Sequence, residues 1–393
     1  MEIISNLALL ILCFILTGWI YRSWRALSEL RQAPTLKISN TAFRHGKVSI
    51  LIPAKNEETN IADCVKPLLA QLRDGDELLV INNCSTDGTE KILRELGAQQ
   101  IEGNGVSHHF PKMVTDPVLR YLNTPNTPEG WTGKNYALHL GSSHVSGDWL
   151  LFTDADTRHA PGSVNAAIAF AEEKGLALLT LLPRCITGSP LEDLLQPCAM
   201  SYTGLWFPIR ETNDPKSKTH FGNGQYLLLR KDHYQKMGGH DGVKEAFLED
   251  FALMKKTKES GGRGMCGFGM EIYGTRMYDS FDAIWRGWRR IFRYGFDQNP
   301  FALLRCALSV FFFSVFPFIV FFYLLKSNAA SSVSFALCLL ILAIVFATAW
   351  KAYAIVKAKK AFAFLHPVAA LVLCAILLGA AQMAFFDRPT HWR

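Results

Sequence analysis

Three long apolar runs occupy the C-terminal part of the chain, at residues 301–325, 333–350 and 362–386. A helix of about 20 apolar residues is long enough to cross the hydrocarbon core of a bilayer. We therefore predict three transmembrane helices within residues 301–387, followed by a short tail at 388–393. The first two helices are joined by a short uncharged loop at 327–332.

A further apolar run near the start of the chain, residues 3–20, is followed by Arg22, Arg25 and Arg31. Basic residues mark the cytoplasmic end of a membrane span. Residues 1–21 are therefore predicted to be a transmembrane anchor and residues 22–46 a cytosolic linker. A cleaved signal peptide is the alternative; it is less favoured because the positive charge follows the apolar run and no small-residue cleavage site is evident.

The expected topology follows from a second basic segment, which contains Lys351, Lys357, Lys359 and Lys360. By the positive-inside rule this segment faces the cytoplasm. One span precedes the polar middle of the chain and two spans separate it from the lysines, so both regions lie on the same side. The chain is expected to be a multi-pass protein of the inner (plasma) membrane with a cytoplasmic domain.

Composition excludes several other classes of protein. Hydrophobic residues make up 49% of the chain and the net charge is +7. No run of lysine and arginine interleaved with aromatic residues occurs in the polar middle, so nucleic acid is not an expected partner. The nine cysteines show no C-x-x-C spacing, which argues against a zinc site or a disulfide framework and favours a reducing compartment.

The polar middle alternates strand, polar loop and helix. Residues 48–53 read as a buried strand followed by a polar loop and a helix, and residues 77–82 begin the same pattern again. This order is typical of a doubly wound, Rossmann-like α/β domain with a mostly parallel sheet. A polar, proline-rich stretch at 103–130 shows no clear period and is predicted to be irregular.

A third apolar strand, beginning at Trp149, ends in Asp154 and Asp156. In open α/β sheets ligands bind at the carboxyl ends of the strands. Two carboxylates at this position can hold Mg²⁺ or Mn²⁺ together with a diphosphate. The alternative is an ordinary turn at the end of a strand, where aspartate is common.

Two further segments carry charged candidates at the starts of predicted helices. Lys134, in a glycine-containing turn, can bind a phosphate together with free backbone N–H groups, or it is a solvated lysine. Glu249 and Asp250 can provide a general base, or they only complement the helix dipole. His240, in the glycine-rich turn 238–242, is a weaker candidate.

Residues 280–300 combine aromatic and basic side chains at helical spacing. The aromatic positions are Trp285, Trp288 and Phe292, and the neighbouring basic ones are Arg286, Arg289, Arg290 and Arg293. We predict an amphipathic helix in the headgroup interface; the alternative is a helix packed on the soluble domain. Some of these arginines could also reach a diphosphate.

Five motifs in this order resemble glycosyltransferase family 2. They are Pro53-Ala54-Lys55-Asn56-Glu57-Glu58, Asn83-Cys84-Ser85-Thr86-Asp87-Gly88-Thr89, Gly133-Lys134-Asn135-Tyr136-Ala137-Leu138, Thr153-Asp154-Ala155-Asp156 and Glu249-Asp250. The resemblance covers residues 47–294. Further stretches at 181–184, 238–240 and 276–288 are similar to a membrane-bound bacterial branch that glycosylates carotenoid or hopanoid-type lipids.

The resemblance implies a GT-A fold over residues 47–279, a nucleotide-sugar donor, and inversion at the anomeric carbon. The residues it implies on the donor side are Pro53, Glu57, Asn82, Asp87, Lys134 and Asp154, with Lys134 near the diphosphate and Asp156 as ligand of Mg²⁺ or Mn²⁺. Asp250 would be the base, with Glu249 beside it. The acceptor or diphosphate side would include His240, Arg276, Trp288, Arg289 and Arg290.

Two departures from the family pattern affect the predicted substrates. Many relatives carry an acid where this chain has Asn82, which leaves the nucleotide open, although a UDP-sugar is the expected donor. The Gln-x-x-Arg-Trp sequence of processive synthases is absent, and three C-terminal spans are few for a polymer channel. Transfer of one sugar to a hydroxyl or carboxyl of a membrane lipid is therefore preferred; a processive polysaccharide synthase and a non-catalytic lipid-binding scaffold remain alternatives.

Overall fold

The computed structural model describes residues 2–38, 43–102, 118–327 and 333–387. The predicted tail, nearly all of the predicted loop at 327–332 and the first half of the irregular stretch at 103–130 lie outside these residues. The chain forms two compact units. The α/β unit contains Ala33–Arg184 and Ile209–Met277, and the apolar-helix unit contains α1 (Glu2–Gln32), Cys185–Pro208 and the described chain from Tyr278 onward.

The described residues form the following strands: β1 (Val48–Ala54), β2 (Glu77–Asn82), β3 (Gln99–Ile101), β4 (Val118–Asn123), β5 (Trp149–Phe152), β6 (Thr157–His159), β7 (Leu178–Leu182), β8 (Arg184–Cys185), β9 (Leu227–Arg230), β10 (Gly264–Phe268) and β11 (Tyr273–Thr275). The helices after α1 are α2 (Ile61–Leu69), α3 (Thr89–Glu95), α4 (Gly133–Ser143), α5 (Ser163–Glu173), α6 (Pro190–Trp206), α7 (Ile209–Asn213), α8 (Lys231–Lys236), α9 (Glu249–Glu259), α10 (Phe281–Gly295), α11 (Pro300–Val310), α12 (Phe316–Lys326), α13 (Val333–Ile355) and α14 (His366–Phe385). A π-helical turn, Phe311–Val315, joins α11 to α12.

The main sheet of the α/β unit has the strand order β10-β7-β9-β5-β1-β2-β4-β3. β1 is parallel to both of its neighbours, β2 and β5, and only β9 runs against the strands beside it. Because parallel strands end at one edge, the residues that follow β1, β2 and β5 meet there. The predicted mostly parallel α/β fold is confirmed, and the three polar loops share the expected edge.

The strands at the centre of this sheet are apolar because both of their faces are covered by helices. Ile50 and Leu51 in β1, and Leu78 and Leu79 in β2, are fully buried, and alternate residues belong to two different core clusters. A parallel sheet that is covered on both faces needs such continuous apolar strands. Polar residues are therefore confined to the strand ends, where the candidate site begins.

A buried ion pair fixes the start of β1. The guanidinium of Arg44 makes a bidentate contact with the carboxylate of Asp76, and both residues are at most 3% exposed. The Asp76 carboxylate also accepts hydrogen bonds from the backbone N–H groups of Val48 and Arg73. Asp76 thus ties the residues before β1 to the turn before β2.

Within the described residues, four helical segments of the other unit are long and apolar enough to cross a membrane: Leu9–Gln32, Pro300–Lys326, Val333–Ile355 and Lys360–Phe385. The first differs from its predicted bounds. We expected the anchor to end at residue 21 and a linker to follow, but α1 continues to Gln32, because no helix-breaking residue occurs before Pro34. Basic residues marked the end of the predicted span without ending the helix.

The predicted catalytic domain 47–279 also differs from the observed units, because Cys185–Pro208 belongs to the apolar-helix unit. α6 packs against α13 and α14, and its buried side chains include Leu195, Cys198 and Tyr202. The hydroxyl of Tyr353 in α13 donates to the carbonyl of Leu194 at 2.7 Å. The apolar character of Cys185–Pro208 reflects packing among these helices.

α10 is the predicted amphipathic helix, and its buried face packs on α14 and α6. Trp288 was predicted on the acceptor or diphosphate side, but it is buried and its indole N–H donates to Gln196 Oε1 at 2.8 Å. Arg293, which helical spacing placed in the basic stripe, is 2% exposed and donates to Gln298 Oε1 at 2.7 Å.

Replacing Asp76 with alanine should lower the free energy of unfolding by about 3–5 kcal/mol, because it leaves the Arg44 charge buried without its partner. Thermal unfolding of the detergent-purified chain measures the loss. Glu95→Ala is the control, since it removes one partner of an exposed pair with Lys91 and should cost at most about 1 kcal/mol. Equal losses in the two variants would contradict this role for Asp76.

Candidate functional site

Two interlocked loops form one side of the strand edge. The backbone N–H of Asn56 donates to Ser85 Oγ at 2.9 Å, and the N–H of Thr86 donates back to Asn56 Oδ1 at 2.8 Å. Asn56 and Cys84 both adopt a left-handed backbone conformation, with φ of 58° and 52°. These two hydrogen bonds therefore tie the loop after β1 to the loop after β2.

Asp87, a predicted donor-binding residue, secures this junction. Its carboxylate accepts hydrogen bonds from the N–H of Glu58 at 3.1 Å and from the N–H of Thr89 at 3.0 Å. Glu57, predicted to line the nucleotide, accepts from Asn60 Nδ2 at 2.9 Å. The structure therefore shows Asp87 holding the loop, and its predicted contact with a donor stays a prediction.

Asn82 lies at the end of β2, where it pairs in register with Ala54 of β1, while Pro53 pairs with Ile81. On its other side Asn82 pairs with Asn123 of β4, and its Nδ2 donates to Asn123 Oδ1 at 2.8 Å. Asn82 Oδ1 is buried and has no hydrogen-bond partner among the described residues. A buried acceptor without a partner costs free energy, and at 3% exposure contact with solvent does not account for a polar residue here.

Lys134 lies in the first turn of α4, and two carboxylates flank its ammonium group. Lys134 Nζ is 2.7 Å from Asp154 Oδ1 and 2.7 Å from Glu249 Oε1. Burial alone would lower the pKa of Lys134, but the charges of Asp154 and Glu249 reverse that effect and raise the pKa above its ordinary value. Lys134 is therefore charged at any physiological pH.

The side chains that position Lys134 are themselves fixed. Thr132 caps α4 by accepting from the N–H of Asn135. The fully buried amide of Asn135 donates to the carbonyls of Val243 at 2.8 Å and Ala246 at 2.9 Å. Because residues 243–246 lead into α9, Asn135 holds the start of α4 against the segment that supplies Glu249.

Asp154 and Asp156 follow β5 in a tight turn. The Thr153 hydroxyl donates to the carbonyl of Gln225 at 2.7 Å, and the Thr157 hydroxyl donates to the carbonyl of Asp154 at 2.7 Å. β6 then pairs antiparallel with β11, and the hydroxyl of Thr275 in β11 lies 3.5 Å from Asp156 Oδ1. The two acids thus have different neighbours: Asp154 contacts Lys134 and Asp156 faces Thr275.

Asp250 lies at the start of α9, beside the ion cluster formed by Lys134, Asp154 and Glu249. Its Oδ2 accepts from the N–H of Gly224 at 2.6 Å, and its Oδ1 accepts from the N–H of Phe251 at 2.8 Å. Burial, and then the neighbouring charge of Glu249, raise the pKa of Asp250 to about 7. A carboxyl group with a pKa near neutrality is suited to accept a proton from a substrate.

The Gly222-Asn223-Gly224 turn precedes β9, and no role was predicted for it from the sequence. A Cβ atom at Gly224 would lie 2.9 Å from Glu249 Oε1 and 3.0 Å from Lys134 Nζ, and one at Gly222 would lie 2.2 Å from the carbonyl oxygen of Asp250. Both glycines are required because the backbone approaches these groups directly. The two glycines that flank Asn223 were the feature of the sequence that could have indicated this close approach of the backbone.

The carboxylates after β5 could provide only part of the coordination shell of a divalent cation. Among the described residues, no three His, Cys, Asp or Glu side chains come together to form a complete set of protein ligands. Mg²⁺ and Mn²⁺ are commonly held by one or two carboxylates together with substrate phosphates and water. Asp156, with Asp154 two residues away, fits an ion that is shared with a bound diphosphate.

The candidates for the acceptor side lie on different elements. His240 is fully buried, its Nδ1 lies 2.8 Å from the hydroxyl of Tyr234, and desolvation lowers its pKa to about 3. His240 is therefore a neutral core residue and not an exposed ligand contact. Arg276 is exposed and directly follows Thr275, whereas Trp288, Arg289 and Arg290 belong to the apolar-helix unit.

The central region of the chain is similar to known glycosyltransferases. Residues 49–238 match the model of "Glycosyl transferase family 2". A 4,4'-diaponeurosporenoate glycosyltransferase from Staphylococcus aureus strain USA300 is 26% identical over 260 residues, which cover 65% of this chain and 63% of that relative. The relative of the same name from Staphylococcus haemolyticus is 26% identical over 255 residues, covering 62% and 60% of the two chains.

A solved structure extends the likeness to the whole fold. The mannosyltransferase of Pyrobaculum calidifontis, solved with GDP-Man and Mn²⁺, superposes with a TM-score of 0.53 at 16% identity, covering 98% of this chain and 99% of that one. At this identity the likeness concerns the fold. The chain therefore shares the fold of that mannosyltransferase, and within it residues 49–238 match the family 2 model.

Proposed function

We propose that the protein is a membrane-bound inverting glycosyltransferase, which moves one sugar from a nucleotide-sugar donor to a hydroxyl or carboxyl group of a lipid. The observation that carries this proposal is the contact of Lys134 with both Asp154 and Glu249. It brings together residues from three separate segments, next to Asp250, at the edge where β1, β2 and β5 end. The family assignment of residues 49–238 supports the same activity.

On the donor side, Lys134 and Asp156 would receive the diphosphate. Lys134 is a charged ammonium group in the first turn of α4, where the helix dipole also favours an anion. Asp156, with Asp154 nearby, would hold Mg²⁺ or Mn²⁺, which when bound supplies positive charge to the departing diphosphate. Mn²⁺ bound to the mannosyltransferase from Pyrobaculum calidifontis supports a divalent cation here. The nucleotide and the sugar are left to experiment.

On the acceptor side, Asp250 would remove the proton from the attacking hydroxyl group. Gly224 and Phe251 donate hydrogen bonds to its two oxygens, which fixes the direction of the carboxylate before substrate arrives. Such prior orientation avoids reorganisation in the transition state. Glu249 contributes by raising the pKa of Asp250 and by pairing with Lys134. With a carboxylate acceptor no proton removal is needed, and Asp250 would only orient the nucleophile.

Two observations support the proposal that the acceptor is a lipid. The staphylococcal relatives are named for a carotenoid-type acceptor, 4,4'-diaponeurosporenoate, and this chain has helices apolar enough to cross a membrane. We propose a multi-pass arrangement in which the α/β unit is cytoplasmic, as the loop containing Lys357 and Lys359 favours.

A donor panel tests the whole proposal: UDP- and GDP-sugars are offered with Mg²⁺ or Mn²⁺ and total membrane lipids, and products are read by mass spectrometry. A lipid carrying one added sugar is expected; a polymer, or no transfer from any donor, would refute the proposal.

Asp250→Asn should lower kcat roughly 10²–10⁴-fold with a hydroxyl acceptor, because the amide cannot take up the proton, while donor affinity changes little. Donor binding measured by calorimetry separates the two effects. Asp74→Asn, at an exposed position of the same unit, is the matched control and should retain activity. Full activity of the Asp250 variant would exclude it as the base.

The rate should also depend on pH through Asp250, whose pKa is raised to about 7. The base acts in its deprotonated form, so kcat/KM should rise with pH up to about 7 and fall about tenfold per pH unit below it. A limb near pH 4, the ordinary value for aspartate, would show that the active base is not raised in this way. The acidic limb should disappear in the Asp250→Asn variant.

Gly224→Ala should reduce transfer at least about tenfold, because the new methyl group displaces Glu249 and Lys134 from each other. Activity assays and thermal unfolding of the same sample distinguish this effect from loss of the fold. Gly204→Ala is the control, since a Cβ at Gly204 meets nothing within 4 Å. Equal activity of the two variants would show that the cluster tolerates the displacement.

Asp156→Asn should raise the Mn²⁺ concentration needed for half-maximal activity at least about tenfold, since it removes a charged ligand. Binding of Mn²⁺ in the presence of a nucleoside diphosphate, followed by electron paramagnetic resonance, measures the affinity without turnover. Asp63→Asn on α2, where the carboxylate is 66% exposed, should leave the affinity unchanged. Unaltered Mn²⁺ binding by the Asp156 variant would assign the ion to other residues.

A further inference from the structure

A cluster of polar side chains lies among the apolar helices and contains none of the residues assigned above. It consists of Arg22 on α1, Tyr202 on α6, Ser309 on α11, Ser314 in the π-helical turn and His366 on α14. All five belong to the apolar-helix unit, and we call them the polar cluster. Polar and ionisable residues inside membrane segments are costly and are commonly kept for function.

The π-helical turn at the centre of this cluster has an identifiable cause. Pro317 has no backbone N–H, so the carbonyl of Phe313, four residues earlier, lacks its usual helical donor. The indole N–H of Trp19 donates to this carbonyl at 2.7 Å. α1 can approach closely because Gly18 faces the Phe313 ring, where a Cβ atom would lie only 2.2 Å from a ring carbon. Such wide turns are frequent at functional sites.

Arg22 is held at this turn with part of its guanidinium unused. Its Nη2 donates to Ser309 Oγ at 2.5 Å, and its Cζ lies 3.8 Å from the centroid of the Phe313 ring. Its Nη1 is buried and has no hydrogen-bond partner within the part of the chain that the structure describes. A charged N–H group without an acceptor in an apolar setting costs free energy. A ligand that supplies an acceptor to Nη1 would therefore bind favourably here.

The other side of the cluster also leaves hydrogen-bonding groups unused. The hydroxyls of Tyr202 and Ser314 are 2.6 Å apart, and the Tyr202 ring stacks on the imidazole of His366. His366 is 5% exposed, and neither of its ring nitrogens has a hydrogen-bond partner among residues 2–38, 43–102, 118–327 and 333–387. Buried imidazole nitrogens are normally satisfied, so these add a second, independent sign of a missing ligand.

Charge determines the kind of ligand. The sequence contains no aspartate or glutamate between Pro300 and Phe386, so α11 to α14 offer no carboxylate to Arg22. The neighbouring helix surfaces are apolar and exposed, as at Phe14 and Leu308, which are 63% and 68% exposed. An anionic oxygen attached to a long apolar chain matches both properties.

We propose that the polar cluster binds the anionic polar end of a membrane lipid, a carboxylate or a phosphate. Arg22 Nη1 donates to the anionic oxygen, His366 supplies a further polar contact, and the apolar chain lies along the exposed faces of α1 and α11. This site shares no residue with Lys134 and the carboxylates that contact it, and its occupation can be measured without sugar transfer.

Native mass spectrometry of the detergent-purified full chain tests the proposal. The protein is offered oleate, phosphatidylglycerol, phosphatidylcholine or inorganic phosphate at equal concentration. Retention of oleate or phosphatidylglycerol, in preference to phosphatidylcholine, is expected. Equal retention of phosphatidylcholine would overturn the requirement for an anion, and retention of inorganic phosphate as strong as that of the lipids would overturn the lipid assignment.

Variants then locate the site. Arg22→Gln should weaken binding of the anionic lipid at least about tenfold, the usual effect of losing a charged hydrogen bond. Arg31→Gln removes the same charge from an exposed position of the same helix and should leave binding unchanged. Equal weakening in both variants, or in neither, would overturn the assignment to Arg22. Tyr202→Phe and His366→Phe keep the packing, and if Arg22→Gln does not fold, unaltered retention by both would count against the cluster.

Discussion

The charge balance around Lys134 is the constraint on which the α/β unit depends. One buried ammonium group lies between Asp154 and Glu249, with Asp250 adjacent. Carboxylates gathered this closely repel one another, so the cation has to be held where it contacts two of them at once. The cap at Thr132, the buried amide of Asn135 and the glycine at 224 all serve this placement.

Much of this arrangement could be predicted from the sequence because it depends on local patterns. Continuous apolar runs predicted β1 and β2, and the polar residues after them predicted the shared edge. Lys134, Asp154 and Glu249 were each predicted as site residues from their positions at helix starts or strand ends. Their contacts with one another follow from the strand order, which a single sequence does not specify.

The predictions that differ from the structure concern which neighbour a side chain meets. Arg22 was expected to follow the membrane span, yet it packs inside the helices, because Ser309 and the Phe313 ring accept its guanidinium. Trp288 and His240 were expected near ligands, yet each is buried with a hydrogen-bond partner in its own unit. Helical spacing predicts which face of a helix carries a residue. How deeply that face is buried depends on segments that are distant in the sequence.

β9 is the strand that runs against its neighbours, and this reversal has a consequence for how the protein can vary. Parallel strands deliver to the edge the residues that follow them, whereas β9 delivers the residues that precede it, including Gly224. Because α9 sets the position of Asp250, an insertion between Gly224 and Leu227 would move the Gly224 N–H away from the carboxylate that it contacts. A change in chain length just before β9 therefore acts on Asp250 itself, although it lies outside every strand and helix of the unit.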